Sequence, residues 1–246
     1  MLDAQRVVSA RSSRLTWTGP AVTSASLSVL QTGAPSLLQL APTSTSYFIT
    51  EGTGLAWTTV GVSGDVILVD DGVALVNDGC SALVGGPYTG KIVLVDRGTC
   101  TFAAKTNFAL AAGAIGVIFA NNVAGTPTTP GGFPYAVPAG MISQADGVTI
   151  KALLAVPSTV TVSMLRDPSR RAGTDVFSNL VLLNAPNPVV LGSSVSHFDP
   201  QMLPNQLMEP AINTDLTQSV VAPQDMTYAL MVDIGWLFGA TDEGTE

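Results

Sequence analysis

His197 is the only histidine of the chain, so it is the only side chain whose ordinary pKa lies near neutrality. It sits in SVSHFDPQMLPNQLMEP, residues 194–210, eleven residues before Met208. Two chemistries use an imidazole in such a place. As a general base it would activate a serine: Ser193, Ser194 and Ser196 precede it, and Asp199 follows. The serine elbow G-x-S-x-G is absent, because GSSVS (192–196) carries Ser where the second glycine belongs. As a metal donor the imidazole would need company, since a catalytic zinc takes three protein ligands and a carboxylate that activates water. A hydrolase working through His197 therefore stands as the enzymatic alternative. No pair of carboxylates is singled out for acid–base work.

Three further groups could do chemistry. Cys80 and Cys100 close the similar frames NDGC and DRGTC. A bridge between them would close a loop of about 20 residues and contribute on the order of 3 kcal/mol by the chain-entropy model. The alternative is two free thiols in a cytosolic protein; without more Cys or a nearby His they make a poor zinc site. Asp70, Asp71, Asn77 and Asp78 form an oxygen-rich stretch whose spacing does not fit a D-x-D-x-D-G calcium loop, so a solvated turn is favoured over a calcium site. Trp57, Phe133 and Tyr135 lie in Gly/Pro-rich stretches. They read as a peptide-contact surface or as plugs of the core, the second being favoured for Trp57.

These groups must be positioned by a chain of 246 residues, 46% hydrophobic and 11% charged, with 24 Gly and 16 Pro. That composition supplies a real core and favours short strands over long helices. A net charge of -8 argues against nucleic acid or anionic lipid as a partner. No apolar run reaches the roughly 18 residues that would span a bilayer. The opening MLDAQRVVSARSSRL has no apolar core of a secretory signal.

The middle of the chain is the most regular. DVILVDDG (65–72), KIVLVDRG (91–98) and AIGVIFANN (114–122) read as buried strands ended by turn residues. Thr101 is placed to cap a helix with Phe102, Ala109 and Ala112 on its inner face, ended by Gly113. AGMIS (139–143) predicts a strand, and Ser143-x-x-Asp146 opens a helix to about Leu154. STVTVSML (158–165) alternates like a half-exposed strand. Residues 21–45 read as irregular, 123–138 as a loop, and 166–176 as a polar linker. NLVLLNAP (179–186) predicts a strand, and QDMTYALMVDIGWLFG (224–239) a closing helix with Met226, Leu230 and Ile234 on one face.

The stretch GKIVLVDRGTCTFAAKTNFALAAGAIGVIFANN, from Gly90 through Asp96, Arg97, Cys100, Phe102, Lys105 and Gly113, resembles the protease-associated (PA) domain family. The resemblance continues in VPAGMISQADGVTIKALL. It implies a β-sandwich-like or open-barrel domain with flanking helices, carried by a secreted or vacuolar peptidase as a lid, a substrate-selecting surface or an interaction module. Arg97 is expected to pair with a carboxylate such as Asp96. Gly113 and Gly116 lack the spacing of a nucleotide loop and follow a helix instead of opening one.

The segment around His197 is similar to the end of a metzincin-type zinc peptidase of the leishmanolysin group. That resemblance implies His197 as a third zinc ligand and Met208, in LMEP, as the methionine of the turn beneath the metal. The H-E-x-x-H half is absent. The resulting reading is an α+β, mostly β chain: an N-terminal extended segment (1–45), the PA domain (46–165), a linker (166–176) and an irregular peptidase-derived segment (177–246). It is read as a non-catalytic, extracellular module without a cofactor of its own. Its partners would be a polypeptide substrate or a peptidase catalytic domain, with zinc confined to a full-length parent. His197 and Met208 are expected to lie side by side.

Overall fold

The computed structural model describes residues 12, 14–53, 55, 57–125, 127–131, 135–156, 159–186, 189–212 and 215–236. The chain divides into two compact units, Pro35–Asp167 and a second made of Met1–Ala34 with Pro168–Glu246. In chain order the elements are α1 (Pro20–Val29), β1 (Thr32–Ala41), β2 (Thr45–Glu51), β3 (Val62–Leu68), β4 (Ile92–Asp96), α2 (Phe102–Ala111), β5 (Gly116–Ala120), β6 (Ala139–Ile142), α3 (Gln144–Leu154), β7 (Thr161–Arg171) and α4 (Thr227–Asp233). The seven strands form a closed barrel in the order β1-β2-β6-β5-β4-β3-β7. The fold is mostly β, as expected, but the expected sandwich or open barrel is closed. Closure removes the exposed strand edges that an open sheet would leave.

The pairs β3–β4, β4–β5 and β5–β6 are parallel, and β1–β2, β2–β6 and β3–β7 are antiparallel. Residues of β4 and β5 split by parity between two apolar clusters. Ile92, Leu94, Ile118 and Ala120 join Leu37, Ile49, Val162 and Met164 in one. Val93, Val95, Val117 and Phe119 join Tyr88, Ala109 and Met141 in the other. A strand turns successive side chains to opposite faces, so a continuous Ile/Val/Leu run serves two cores at once.

The two barrel helices begin where the sequence places their caps. Thr101 Oγ1 accepts the Ala104 N–H at 3.2 Å, and Ser143 Oγ accepts the Asp146 N–H at 3.1 Å. Gly113, at φ +87°, ends the α2 turn in a conformation that glycine adopts without strain. Thr101→Ala is expected to cost about 1 kcal/mol. Urea titration reads this, and an unchanged midpoint would show the cap to be idle.

Elsewhere the structure departs from expectation. Residues 21–45 are not irregular, and 1–45 is not one extended segment: α1, β1 and the start of β2 lie there. Most of the N-terminal helix-compatible stretch lies outside the described residues. The supposed linker continues strand β7 as far as Arg171, and β7 buries three consecutive residues, Val162, Ser163 and Met164, instead of alternating. In place of a strand at 179–186 there are only isolated bridges, Thr174–Val181, Thr16–Leu182 and Leu183–Phe198. The closing helix is α4 alone, seven residues, with Met226 buried and Ile234 exposed.

Candidate functional site: a cleft at the strand ends and the His197 segment

Strands β4 and β5 end side by side at Asp96 and Ala120. In sheets with parallel strands the crevice beyond the carboxyl ends is where ligands sit, because the chain diverges there. Here that crevice is a cleft of about 530 Å³. Its floor is polar. Arg97 Nη1 donates to Asn121 Oδ1 at 2.8 Å, and the Asn122 N–H donates to the same oxygen at 3.0 Å. Asp96 is paired with Lys151 of α3, not with Arg97 as expected from adjacency. Successive residues leave a strand on opposite sides, so Asp96 and Arg97 find different partners. Asn121 is 4% exposed, and among the described residues its Nδ2 has no hydrogen-bond partner. A buried donor left unmade costs about 1–3 kcal/mol. The cleft's exposed lining includes apolar Leu75 (70% exposed), Val76 and Val148 (63%) of α3 beside polar Thr99, Asn122 and Gln144. Leu75 adopts φ +65°, which is uncommon for a non-glycine residue.

The unit holding residues 168–246 places His197 in a smaller apolar cleft of about 170 Å³, lined also by Trp17, Leu183, Phe198 and Met208. His197 and Met208 therefore share one wall, and the Phe198 N–H donates to the Met208 carbonyl at 2.8 Å. His197 Nδ1 lies 3.0 Å from Ser196 Oγ. Asp199 is buried, and its carboxylate accepts the Gln201 N–H and side-chain amide at 3.0 and 3.1 Å. Burial pushes its pKa up to about 6, against the pull of those bonds. The carboxylate is thus engaged by Gln201, and no Ser–His–Asp relay is assembled. Among the described residues no group of three or more His, Cys, Asp or Glu could hold a metal ion, so this chain's own donors do not fit a catalytic zinc. Glu209, next to Met208, is buried too. Its Oε1 accepts the Gln206 N–H at 2.7 Å, while among the described residues Oε2 has no hydrogen-bond partner. Burial, reinforced by the charges of Asp199 and Asp215, pushes it up to about 8 despite bonds from Gln206 and Asn205.

Residues 62–150, which carry the larger cleft, match the family model of the PA domain. This segment is a PA domain. Two curated relatives are leucine aminopeptidase 2 of Arthroderma otae, 37% identical over 127 residues, and leucine aminopeptidase 2 of Trichophyton equinum, 35% identical over 127 residues. Each alignment covers 50% of this chain and 26% of the relative, so the chain spans about a quarter of their length. Similar solved structures include BSAP, a zinc aminopeptidase from Bacillus subtilis (TM-score 0.42, 18% identity, 66% of this chain and 37% of that one). Another is an aminopeptidase from Aneurinibacillus sp. strain AM-1 (TM-score 0.42, 19% identity, 68% and 44%). The leishmanolysin-like resemblance of the His197 segment is not supported by the curated relatives, which are leucine aminopeptidases.

Within the PA domain, Cys80 and Cys100 form a disulfide with Cα atoms 5.7 Å apart. The oxygen-rich stretch before Cys80 spends its carboxylates on its own backbone. Asp71 accepts the N–H groups of Cys80 and Ser81 at 2.9 and 3.1 Å, Asp78 accepts that of Cys80 at 3.0 Å, and Asp70 that of Gly72 at 2.8 Å. Burial pushes Asp71 up, but bonds from Val73, Cys80 and Ser81 outweigh it and hold the group below the usual range. These bonds organise the loop through its own backbone N–H groups. Trp57 and Tyr135 are buried, one in each barrel core, so neither offers its ring as a contact surface. Phe133 lies outside the described residues.

Sequence reasoning missed the rim residues and Asn121. Asn121 and Asn122 look like the tail of a strand, and the strand in fact stops at Ala120. An amide pair directly after an apolar run was the available signal. Lys105 reads in the sequence as one charged residue of a helix, yet it is 1% exposed. Its ammonium donates to the Asp78 carbonyl and lies 3.3 Å from Cys80 Sγ. Burial pulls its pKa down, and the charges of Asp78, Asp96 and Asp71 hold it up.

Proposed function

We propose that this chain serves as a non-catalytic interaction module of a longer extracellular peptidase, and that its PA domain takes an extended polypeptide segment in the cleft at the ends of β4 and β5. The observation that carries the reading is the cleft's two-part lining. Among the described residues an unpartnered amide donor of buried Asn121, a guanidinium bonded to a neutral amide, and Asn122 line the cleft together with the exposed apolar Leu75, Val76 and Val148. An extended peptide presents carbonyls along its backbone and apolar side chains between them, which is the pattern such a lining accommodates. The disulfide supports an oxidising compartment. The aminopeptidase relatives support a peptidase parent, in which the partner is the catalytic domain or its polypeptide substrate.

The test is binding of fluorescent peptides rich in apolar residues, drawn from casein, to the purified chain. Arg97→Ala and Val148→Asp are each expected to weaken binding at least tenfold while leaving the melting temperature within a few degrees. Equal affinity in wild type and both variants would remove the cleft from the account.

A second reading follows from the shared cleft of His197 and Met208: the chain supplies part of the active site of a zinc endopeptidase, or hydrolyses peptides or esters through His197 paired with Ser196. Casein and ester hydrolysis by the wild-type chain, abolished in His197→Ala, would favour it over the non-catalytic module.

A further inference from the structure

The disulfide joins two segments that line the PA-domain cleft. Cys80 ends the loop that brings Leu75 and Val76 to the rim, and Cys100 follows the β4 exit that carries Arg97 and Thr99. Both cysteines are half-buried, so the bond is within reach of solvent. Behind it stands Lys105 of α2, almost fully buried, with Nζ 3.3 Å from Cys80 Sγ. A buried ammonium is costly unless an anion pairs with it. Among the described residues, the polar contacts of this ammonium are the Asp78 carbonyl and the Cys80 sulfur, and neither carries charge while the disulfide is closed. Asp78, Asp96 and Asp71 act on the ammonium as charges, and a thiolate at Cys80 would add an anion in direct contact. A cation beside a cysteine raises the thiolate fraction and makes that sulfur the better leaving group.

We propose that the Cys80–Cys100 bond is a thiol-exchange site, opened by a dithiol reductant, with Cys80 as the leaving sulfur and Lys105 as the group that holds its thiolate. The reductant's thiolate attacks Cys100 Sγ. The S–S bond breaks, and its electron pair goes to Cys80 beside the Lys105 ammonium. The second thiolate of the reductant then attacks the mixed disulfide. It leaves Cys100 as a thiolate that takes a proton from water, and the reductant departs as its disulfide. Two electrons have passed to the two protein sulfurs. Asp71 and Asp78 from the loop after β3, and Asp96 at the end of β4, act on the same ammonium and oppose a further negative charge. Lys105 is the charge in direct contact with the sulfur, so its attraction is the strongest of these. Reduction also removes the covalent link between the segment carrying Leu75 and Val76 and the segment carrying Arg97, which the Asp96 N–H to Asn77 carbonyl bond continues to join. That consequence for ligand binding rests on the cleft reading above, whereas the exchange chemistry does not.

The test uses the full chain reduced with dithiothreitol, under conditions where it keeps its native circular dichroism. Iodoacetamide alkylation of each cysteine is followed against pH by mass spectrometry. Cys80 is expected to titrate at least one pH unit below an ordinary thiol near 8.5, with a thiolate fraction at pH 7 about tenfold that of such a thiol. In Lys105→Met, the equilibrium constant for reduction by dithiothreitol is expected to fall about tenfold. Titration of Cys80 at or above the ordinary value overturns the proposal, and this wild-type result decides even where Lys105→Met does not fold. Peptide binding is read separately. Absence of binding by the oxidised chain removes the cleft reading and leaves the exchange site standing. Binding that is unchanged by full reduction overturns the coupling of the bond to the cleft.

Discussion

Exchanging Glu209 for glutamine is expected to flatten the pH dependence of stability of the unit formed by residues 168–246 with the N-terminal segment. In the fold Glu209 titrates at about 8, because burial and the nearby charges of Asp199 and Asp215 disfavour its carboxylate; its ordinary value is 4.5. The fold therefore prefers the protonated form. Below pH 4.5 both folded and unfolded chains are protonated, and the native unit has its full stability. As pH rises from 4.5 toward 8 the unfolded chain ionises and the folded one does not, so stability is lost across that window and then levels off. The ceiling on the loss is roughly 4–5 kcal/mol, at about 1.4 kcal/mol per pH unit. Asp199, pushed up to about 6 by burial, adds a loss of the same sign between its ordinary 3.8 and 6. Thermal melts of the wild type at intervals from pH 4.5 to 8.5 should show a falling midpoint. In Glu209→Gln only the part below pH 6 should remain. A wild-type midpoint that is level between pH 5 and 8 would show that Glu209 ionises freely in the fold.

The second large effect concerns the barrel. Phe119 on β5 is fully buried, and its ring lies 4.9 Å from that of Phe102, tilted by 59°. Phe102 belongs to the first turn of α2, so this pair ties the crossover helix to the strand that ends at the cleft. Phe119→Ala removes the transfer free energy of the ring and leaves a cavity, and the expected cost is about 3–5 kcal/mol. Leu75→Ala, on the exposed rim, is expected to change stability by no more than about 0.5 kcal/mol. Urea unfolding of both variants measures the contrast. Equal midpoints would mean that the two faces of β5 do not carry the domain's stability as its burial pattern indicates.

The central elements were legible in the sequence because their signals are local. Runs such as KIVLV and GVIFA are too uniformly apolar to sit anywhere but under cover on both faces. Thr101 and Ser143 mark helix starts by an oxygen placed three residues before the N–H that it accepts. The pairing of Cys80 with Cys100 was legible too, since each closes a similar turn frame, NDGC and DRGTC, after a strand-like apolar run. These features lie within a few residues of their causes.

What the sequence could not determine has its cause far along the chain. Helix α1, with the residues PAVTSASLSV, has weak intrinsic propensity. Its first turn is capped by Asp233, whose carboxylate accepts the N–H groups of Ala21 and Val22 at 2.9 and 3.0 Å and the Trp17 indole at 2.9 Å. A cap more than two hundred positions away leaves no local mark. Residues 168–171 are polar, yet they hold a strand because Arg170 and Arg171 find carbonyls, at Thr174 and Leu30, that sequence spacing does not reveal. The same holds for the sites. His197, Cys80 and Cys100 could be named in advance, because residue type alone restricts their chemistry. That Lys105 is buried against the Cys80 sulfur, that Asn121 keeps an unpartnered amide, and that Glu209 is sealed from water are facts of packing. Only the tertiary structure decided them, because burial and charge pairing depend on which distant surfaces close over a side chain.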